Sequence, residues 1–261
     1  MSKRLYLNAG NSSLHWALWE DDREASWGAQ GRVAMRSPEE ALQRVARALA
    51  EQEADAALAA EVVVVTSRPD LEAWEQVAVS LLGRPLALLG RDFCAQIRTE
   101  YYNPGQLGQD RAANILAARA QELHPCLILD AGTCLTADVL DLDGGHVGGA
   151  IAAGGPALWA GVLDRAPHLA AAAAAWPDPA SLGAWGCSTE ENLAIGWEAG
   201  LVGIALGLVA RYREMTDGGG GVILTGGDAE RLARGLDEMV VVRPLLTMDG
   251  LRLAREGYSS V

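Results

Sequence analysis

Two segments far apart in the 261-residue chain share one layout, and that repetition restricts the fold more than any other feature. Leu5 to Trp19 reads Leu-Tyr-Leu-Asn-Ala-Gly-Asn-Ser-Ser-Leu-His-Trp-Ala-Leu-Trp, and Leu127 to Asp141 reads Leu-Ile-Leu-Asp-Ala-Gly-Thr-Cys-Leu-Thr-Ala-Asp-Val-Leu-Asp. In each, an apolar strand ends at Asn8 or Asp130 and passes through Ala-Gly. It then offers an amide or hydroxyl (Asn11 and Ser12, or Thr133) and resumes with residues of strand type. A strand–turn–strand unit used twice implies a duplicated lobe.

The intervening segments alternate between helical and strand patterns. Ser37 to Glu51 is expected to be a helix, with Ser37 as N-cap, Pro38 at the first helical position and apolar residues at Ala41, Leu42, Val45, Ala48 and Leu49. Glu61 to Thr66, with its run Val62-Val-Val-Val, reads as a buried strand. Leu71 to Leu82 reads as helix, Leu86 to Leu89 as a short strand and Gln109 to Leu123 as a long helix. After the second repeat come a Gly-rich hairpin (Gly144 to Gly155), an Ala-rich helical region (Pro156 to Ala175), a helix from Thr189 to Arg213, a strand Val222 to Leu224 and a helix from Asp228. This alternation implies an α/β fold of two lobes, 1–118 and 119–261, divided within the helix that precedes the second repeat.

Half the residues are apolar, enough for a substantial core, and the formal charge is −13. An acidic chain lacks the basic face that nucleic-acid binding requires. The four cysteines (Cys94, Cys126, Cys134, Cys187) form no C-x-x-C pair, so reduced thiols in a cytoplasmic protein are expected. The N-terminus carries Lys3 and Arg4, but Asn8, Gly10 and Asn11 interrupt it before an apolar stretch of signal-peptide length develops. The longest apolar stretches fall short of the roughly 20 residues that span a bilayer, so no membrane association is expected.

The two repeated turns can approach phosphate oxygens through their backbone N–H groups, although either alone is equally an ordinary hairpin. Val222-Ile-Leu-Thr-Gly-Gly-Asp forms a third Gly-containing turn, which could also be a plain strand-to-helix connection. None matches a Walker P-loop or a dinucleotide fingerprint. The sharpest cluster is Tyr101-Tyr-Asn103-Pro104-Gly-Gln-Leu-Gly108-Gln109-Asp110-Arg111. A loop stiffened by Pro104 and glycines opens a helix on Asp110 and Arg111. Asp110 could be a simple helix-end carboxylate, favoured by the dipole, or a general base beside an anion-binding arginine. His15, His124, His146 and His168 are dispersed, only His15 lying near a phosphate motif, and Cys134 reads as a small filler.

That cluster resembles type III pantothenate kinases, whose Tyr, Asn-Pro and Gly-x-Asp-Arg pattern is matched by Tyr101, Asn103-Pro104 and Gly108-Gln109-Asp110-Arg111. The resemblance continues in order through Gly10-Asn11-Ser12, Asp130-x-Gly132-Thr133, Gly148-Gly149-x-Ile151 with Gly154, Ser188-Thr189 with Asn192 and Gly196, and Thr225-Gly226-Gly227-Asp228. It implies two actin/ribonuclease-H-like lobes with a nucleotide cleft between them. It further implies phosphorylation of pantothenate by ATP with Mg²⁺ and a monovalent cation, K⁺ or NH₄⁺, in a homodimer. By this resemblance Asp110 is the catalytic base, and Tyr101, Gly108, Gln109, Asp110 and Arg111 hold the substrate. Thr189 reaches the substrate of a neighbouring subunit. Asn8, Ala9, Gly10, Asn11, Ser12, Ser13, Leu14 and His15, with Thr133, Gly226 and Gly227, contact ATP, and Asp130 binds the monovalent cation.

The chain departs from the family pattern at Asn8, where an Asp is usual. An amide oxygen still ligates but brings no charge to a hard cation. The family's usual Pro after Gly-Gly-x-Ile is also absent, Ala153 standing in its neighbourhood. Three readings therefore stand side by side. The first is an active pantothenate kinase, marked by Asp110 and Arg111. The second is a nucleotide-binding regulator without turnover, like the Bvg accessory factor relatives, which Asn8 would favour. The third is another sugar-type kinase or phosphatase of the superfamily, which would leave Tyr101 and Thr189 remote from substrate.

Overall fold

The computed structural model describes residues 2–21, 25–52, 54, 59–175, 177, 181–236 and 239–258. In chain order the elements are β1 (Ser2–Ala9), β2 (Ser13–Asp21), β3 (Ser26–Ala34), α1 (Pro38–Glu51), β4 (Ala59–Thr66), α2 (Leu71–Leu82), β5 (Leu86–Leu88) and α3 (Gln109–Ala120). There follow β6 (Cys126–Ala131), β7 (Cys134–Leu140), β8 (His146–Ala153), α4 (Gly155–Arg165), α5 (Ala170–Ala174), α6 (Thr189–Met215), β9 (Gly221–Thr225), α7 (Ala229–Gly235), β10 (Val241–Val242) and α8 (Leu246–Arg255). Two compact units result. One comprises residues 1–124, 140–148 and 245–261, and the other residues 125–139 and 149–244.

The first unit is built on a sheet of order β3-β2-β1-β4-β5, antiparallel across β1–β3 and parallel from β1 through β4 to β5. Successive side chains of a strand point to opposite faces, so a strand covered on both sides must be apolar throughout. Val62 and Val64 accordingly join a core with Leu5 and Leu7 beneath α1 and α2, whereas Val63 and Val65 join Tyr6 in a second core beneath α3 and α8. Ser37 caps α1 as expected, its hydroxyl accepting from the Glu40 N–H at 3.2 Å.

The sheet of order β10-β9-β6-β7-β8 carries the second repeat. In the second unit, β6 and β9 run parallel with Asp130 opposite Thr225, and their inner residues Leu127, Leu129 and Leu224 pack with Leu201, Ala205 and Val209 of α6. The chain ends of β6 and β9 thus stand side by side.

Several expectations needed adjustment. The Ala-rich stretch is not one helix: α4 stops at Arg165, a 3-10 turn spans Pro167–Leu169 and α5 follows, because Pro167 lacks the N–H that would continue α4. Strand β3 and helix α8 carried no recognised sequence signal. Helix α6 is also longer than its individual apolar runs. By length and composition it could cross a bilayer, with 22% of its most apolar stretch buried.

Candidate active site

In the first unit, the β1–β2 hairpin turns tightly at Gly10–Ser13, where the Gly10 N–H donates to the Ser13 carbonyl at 3.0 Å. Ladder pairing sets Asn8 opposite His15 and, on the other side, beside Val65 of β4. The Thr66 hydroxyl anchors the end of β1 by donating to the Ala9 carbonyl at 2.7 Å. Burial first, and then the charge of Arg32 paired with it across β2–β3, hold the His15 imidazole down to about 4. It is therefore neutral at pH 7. Ala9 and Leu14 are buried in the core, while Asn11 is exposed and Ser12 and Ser13 are half-buried at the turn.

The loop ahead of α3 belongs to the same unit. Asn103 caps the 3-10 turn Pro104–Gln106 by accepting from the Gly105 N–H at 3.1 Å. Gly108 is the N-cap of α3, Gln109 begins it, and Asp110 lies in its first turn with Oδ1 accepting from the Arg111 N–H at 2.8 Å. Arg111 is 5% exposed, and its guanidinium lies 5.7 Å from the Tyr101 ring centre, which provides a cation–π contact. One turn further on, buried Asn114 accepts from the Thr247 hydroxyl of α8 at 2.8 Å. The aromatic face, guanidinium and carboxylate expected from the sequence are thus neighbours on one loop and one helix turn. The structure adds His146 from the start of β8, whose ring centre is 5.2 Å from that of Tyr101.

In the second unit, the Asp130–Cys134 turn is closed by the Gly132 N–H donating to Cys134, and Thr133 accepts from the Gly154 N–H at 3.1 Å. The Asp228 N–H donates to Ala131 at 3.1 Å and ties the Thr225-Gly226-Gly227 turn to it. Gly226 has φ +87, and a Cβ there would lie 2.5 Å from Oδ1 of Asp130. Only glycine satisfies both the left-handed backbone and the close approach to that carboxylate. Thr189 opens α6 at an exposed position; Ser188 caps the helix by accepting from the Glu191 N–H at 3.2 Å, and Glu191 reaches back to accept from the Cys187 N–H at 2.6 Å.

A family model described as type III pantothenate kinase matches residues 4–211, and every motif above except the Thr225–Asp228 turn lies within that span. The chain belongs to this family. The type III pantothenate kinase of Thiobacillus denitrificans is 31% identical over 255 residues, 97% of each protein, and that of Halorhodospira halophila is 32% identical over 95% of this chain and 96% of its own. Among solved structures, a putative 2-dehydro-3-deoxygalactonokinase from Sinorhizobium meliloti superposes with a TM-score of 0.56 at 17% identity, covering 99% of this chain and 100% of its own. That likeness bears on fold alone and agrees with the two-lobed architecture of actin-like sugar kinases. Around Tyr101, Asp110 and Arg111 the chain brings a carboxylate, a cation and an aromatic ring into one segment.

Proposed function

We infer that the protein transfers the γ-phosphoryl group of ATP to pantothenate, giving 4′-phosphopantothenate in the first step of coenzyme A biosynthesis. The observation that carries this reading is Asp110, held by the first turn of α3 beside buried Arg111 and Tyr101, in a chain of the type III family. Phosphoryl transfer asks a protein chiefly for positioning and charge neutralisation. Asp110 takes the proton of the acceptor hydroxyl as that oxygen attacks. Arg111 and Tyr101, with Gly108 and Gln109, hold the acceptor in line. We assign Asn8 to His15, Thr133, Gly226 and Gly227 to ATP. The test is ADP release by the purified protein that depends on pantothenate. Turnover without that dependence would count against the reading.

No observation favours a regulator without turnover, since Asp110, Arg111 and Tyr101 are all present and mutually placed. A cytoplasmic location follows from the same reading, because ATP and the coenzyme A precursors are cytoplasmic metabolites.

Among the described residues no group of three or more His, Cys, Asp or Glu side chains converges to hold a metal ion. Mg²⁺ of this family's reaction would bind through one or two protein oxygens plus the phosphates of its nucleotide, supplying positive charge to them. The Asn8 amide oxygen fits such a place beside the Gly10–Ser13 turn. Asn8→Asp is expected to lower the half-saturating Mg²⁺ concentration about tenfold, a typical effect of an ion-orienting group. An unchanged Mg²⁺ titration would remove Asn8 from the metal site. We assign the monovalent cation, K⁺ or NH₄⁺, to the Asp130 carboxylate, against which Gly226 packs closely.

A homodimer is supported by α6. Gly196, Ala199, Gly203, Leu206 and Ala210 follow one exposed stripe on this helix, and its first half borders an apolar groove of about 300 Å³ lined by Leu158, Trp159, Val162 and Trp197. Exposed apolar surface of this kind calls for a partner, and small residues permit close helix approach. A second copy covering it would draw in the head of α6, where Thr189 stands. Gly203→Arg is expected to convert dimers to monomers in analytical ultracentrifugation and to cut turnover about tenfold or more. A parent protein that sediments as a monomer would overturn the dimer and the shared role of Thr189.

A further inference from the structure

We propose that His146, acting through Thr99, is a positioning residue that fixes Tyr101 and thereby the fit of the phosphoryl acceptor. The proposal rests on the reading of the Tyr101–Arg111 segment as the acceptor site. Between Cys94 and Asn103 the chain forms neither helix nor strand, and its single ladder contact is a parallel bridge between Thr99 and His146. The loop's conformation must therefore be imposed from outside: Ala95 and Ile97 pack on the core, Arg98 pairs with Asp141, and His146 holds the end nearest Tyr101.

Backbone groups of His146 clamp the loop on both sides of Thr99. The His146 N–H donates to the Arg98 carbonyl and the Glu100 N–H donates to the His146 carbonyl, each at 2.9 Å. The side chain repeats the clamp one step nearer the acceptor. Nδ1 of His146 and Oγ1 of Thr99 are 2.8 Å apart, and the same hydroxyl oxygen accepts from the Tyr101 N–H at 3.2 Å. A threonine hydroxyl has one proton and two acceptor sites, so either imidazole tautomer can complete the pair while the Tyr101 bond is kept. The imidazole also packs on the Tyr101 ring, with ring centres 5.2 Å apart at 50° between planes. The Arg111 guanidinium lies 5.7 Å from the centre of the same ring.

His146 is 0% exposed, and a polar group buried so completely is costly unless it is bonded. A purely architectural role would be filled by any apolar side chain of similar volume. What an apolar residue could not supply is the hydroxyl-to-imidazole bond that orients Thr99, and with it the Tyr101 N–H. No local pattern hints at this pairing, because 47 positions separate the two partners.

The test compares four variants of the full-length protein: His146→Gln, His146→Asn, Thr99→Val and Thr99→Ser. An asparagine amide stands close to where imidazole Nδ1 stood, and a glutamine amide extends past it. Both His146→Gln and Thr99→Val are expected to raise the KM for pantothenate about tenfold, the loss of roughly one hydrogen bond, with kcat and the KM for ATP changed less than twofold. His146→Asn and Thr99→Ser should recover most of the loss. An unchanged KM for pantothenate in folded Thr99→Val and His146→Gln would overturn the proposal. So would a rise of both KM values together with a fall in kcat and melting temperature, which would mark a structural role. Should the His146 variants fail to fold, the Thr99 pair decides alone, because that side chain is half-buried and valine matches its shape. A parent chain without pantothenate turnover would instead sink the functional reading, and that result precedes any variant.

Discussion

Asp110→Asn is expected to lower kcat for pantothenate phosphorylation by about 10²–10⁴-fold, the usual contribution of a positioned general base. Asparagine has the same shape and can still accept from the Arg111 N–H, as Asp110 does at 2.8 Å, so the start of α3 should be preserved. What is lost is the capacity to take a proton. Melting temperature and the KM for ATP should therefore stay near parental values while turnover collapses. Arg111→Lys makes a useful companion, since it keeps the charge but not the planar cation facing Tyr101. Retention of more than about a tenth of kcat in Asp110→Asn would mean that the acceptor proton leaves by another route.

The second large effect concerns stability. Helix α8 returns to pack on α3 in the first unit, and at their closest approach a Cβ on Gly250 would stand 1.8 Å from the Ala113 carbonyl oxygen. The obstacle is backbone and cannot rotate away. Gly250→Ala, which on an exposed helix would stabilise by favouring helical backbone, is expected here to destabilise by about 1–3 kcal/mol or more, read as a lower urea midpoint. The sign is the informative part: a stabilised variant would show that α8 does not lie against α3 as described. Displacement of α8 would also withdraw Thr247 from Asn114, one turn beyond Arg111, so the variant's KM for pantothenate should rise with its loss of stability.

Much of the fold was legible because strong local signals agreed with tertiary demands. Val62 to Val65 could be read as a buried strand since both of its faces meet a core, and Ser37-Pro38 announced α1 through capping chemistry that works over a single turn. Strand β3 was not legible. It contains Gly28 and Gly31 and alternates between exposed and half-buried positions, so its conformation is imposed by pairing with β2 rather than by its own residues. Helix α8 was missed for a related reason: Leu245 provides no side-chain cap, and Gly250 reads locally as a helix breaker. The glycine becomes intelligible only when the backbone of α3 lies against it.

The candidate site divides along the same line. The sequence by itself determined the family, the repeated turns and the identity of Tyr101, Asp110 and Arg111, because these depend on residue types at short fixed spacings. It also determined that the first motif carries Asn8 in place of a carboxylate. Only the tertiary structure decided that Arg111 is buried facing Tyr101, that Gly226 closes on Asp130, and that His146 holds Thr99. The last two contacts join residues distant in the chain, and the first depends on how the intervening loop folds back; no local pattern encodes a distance that folding alone brings about.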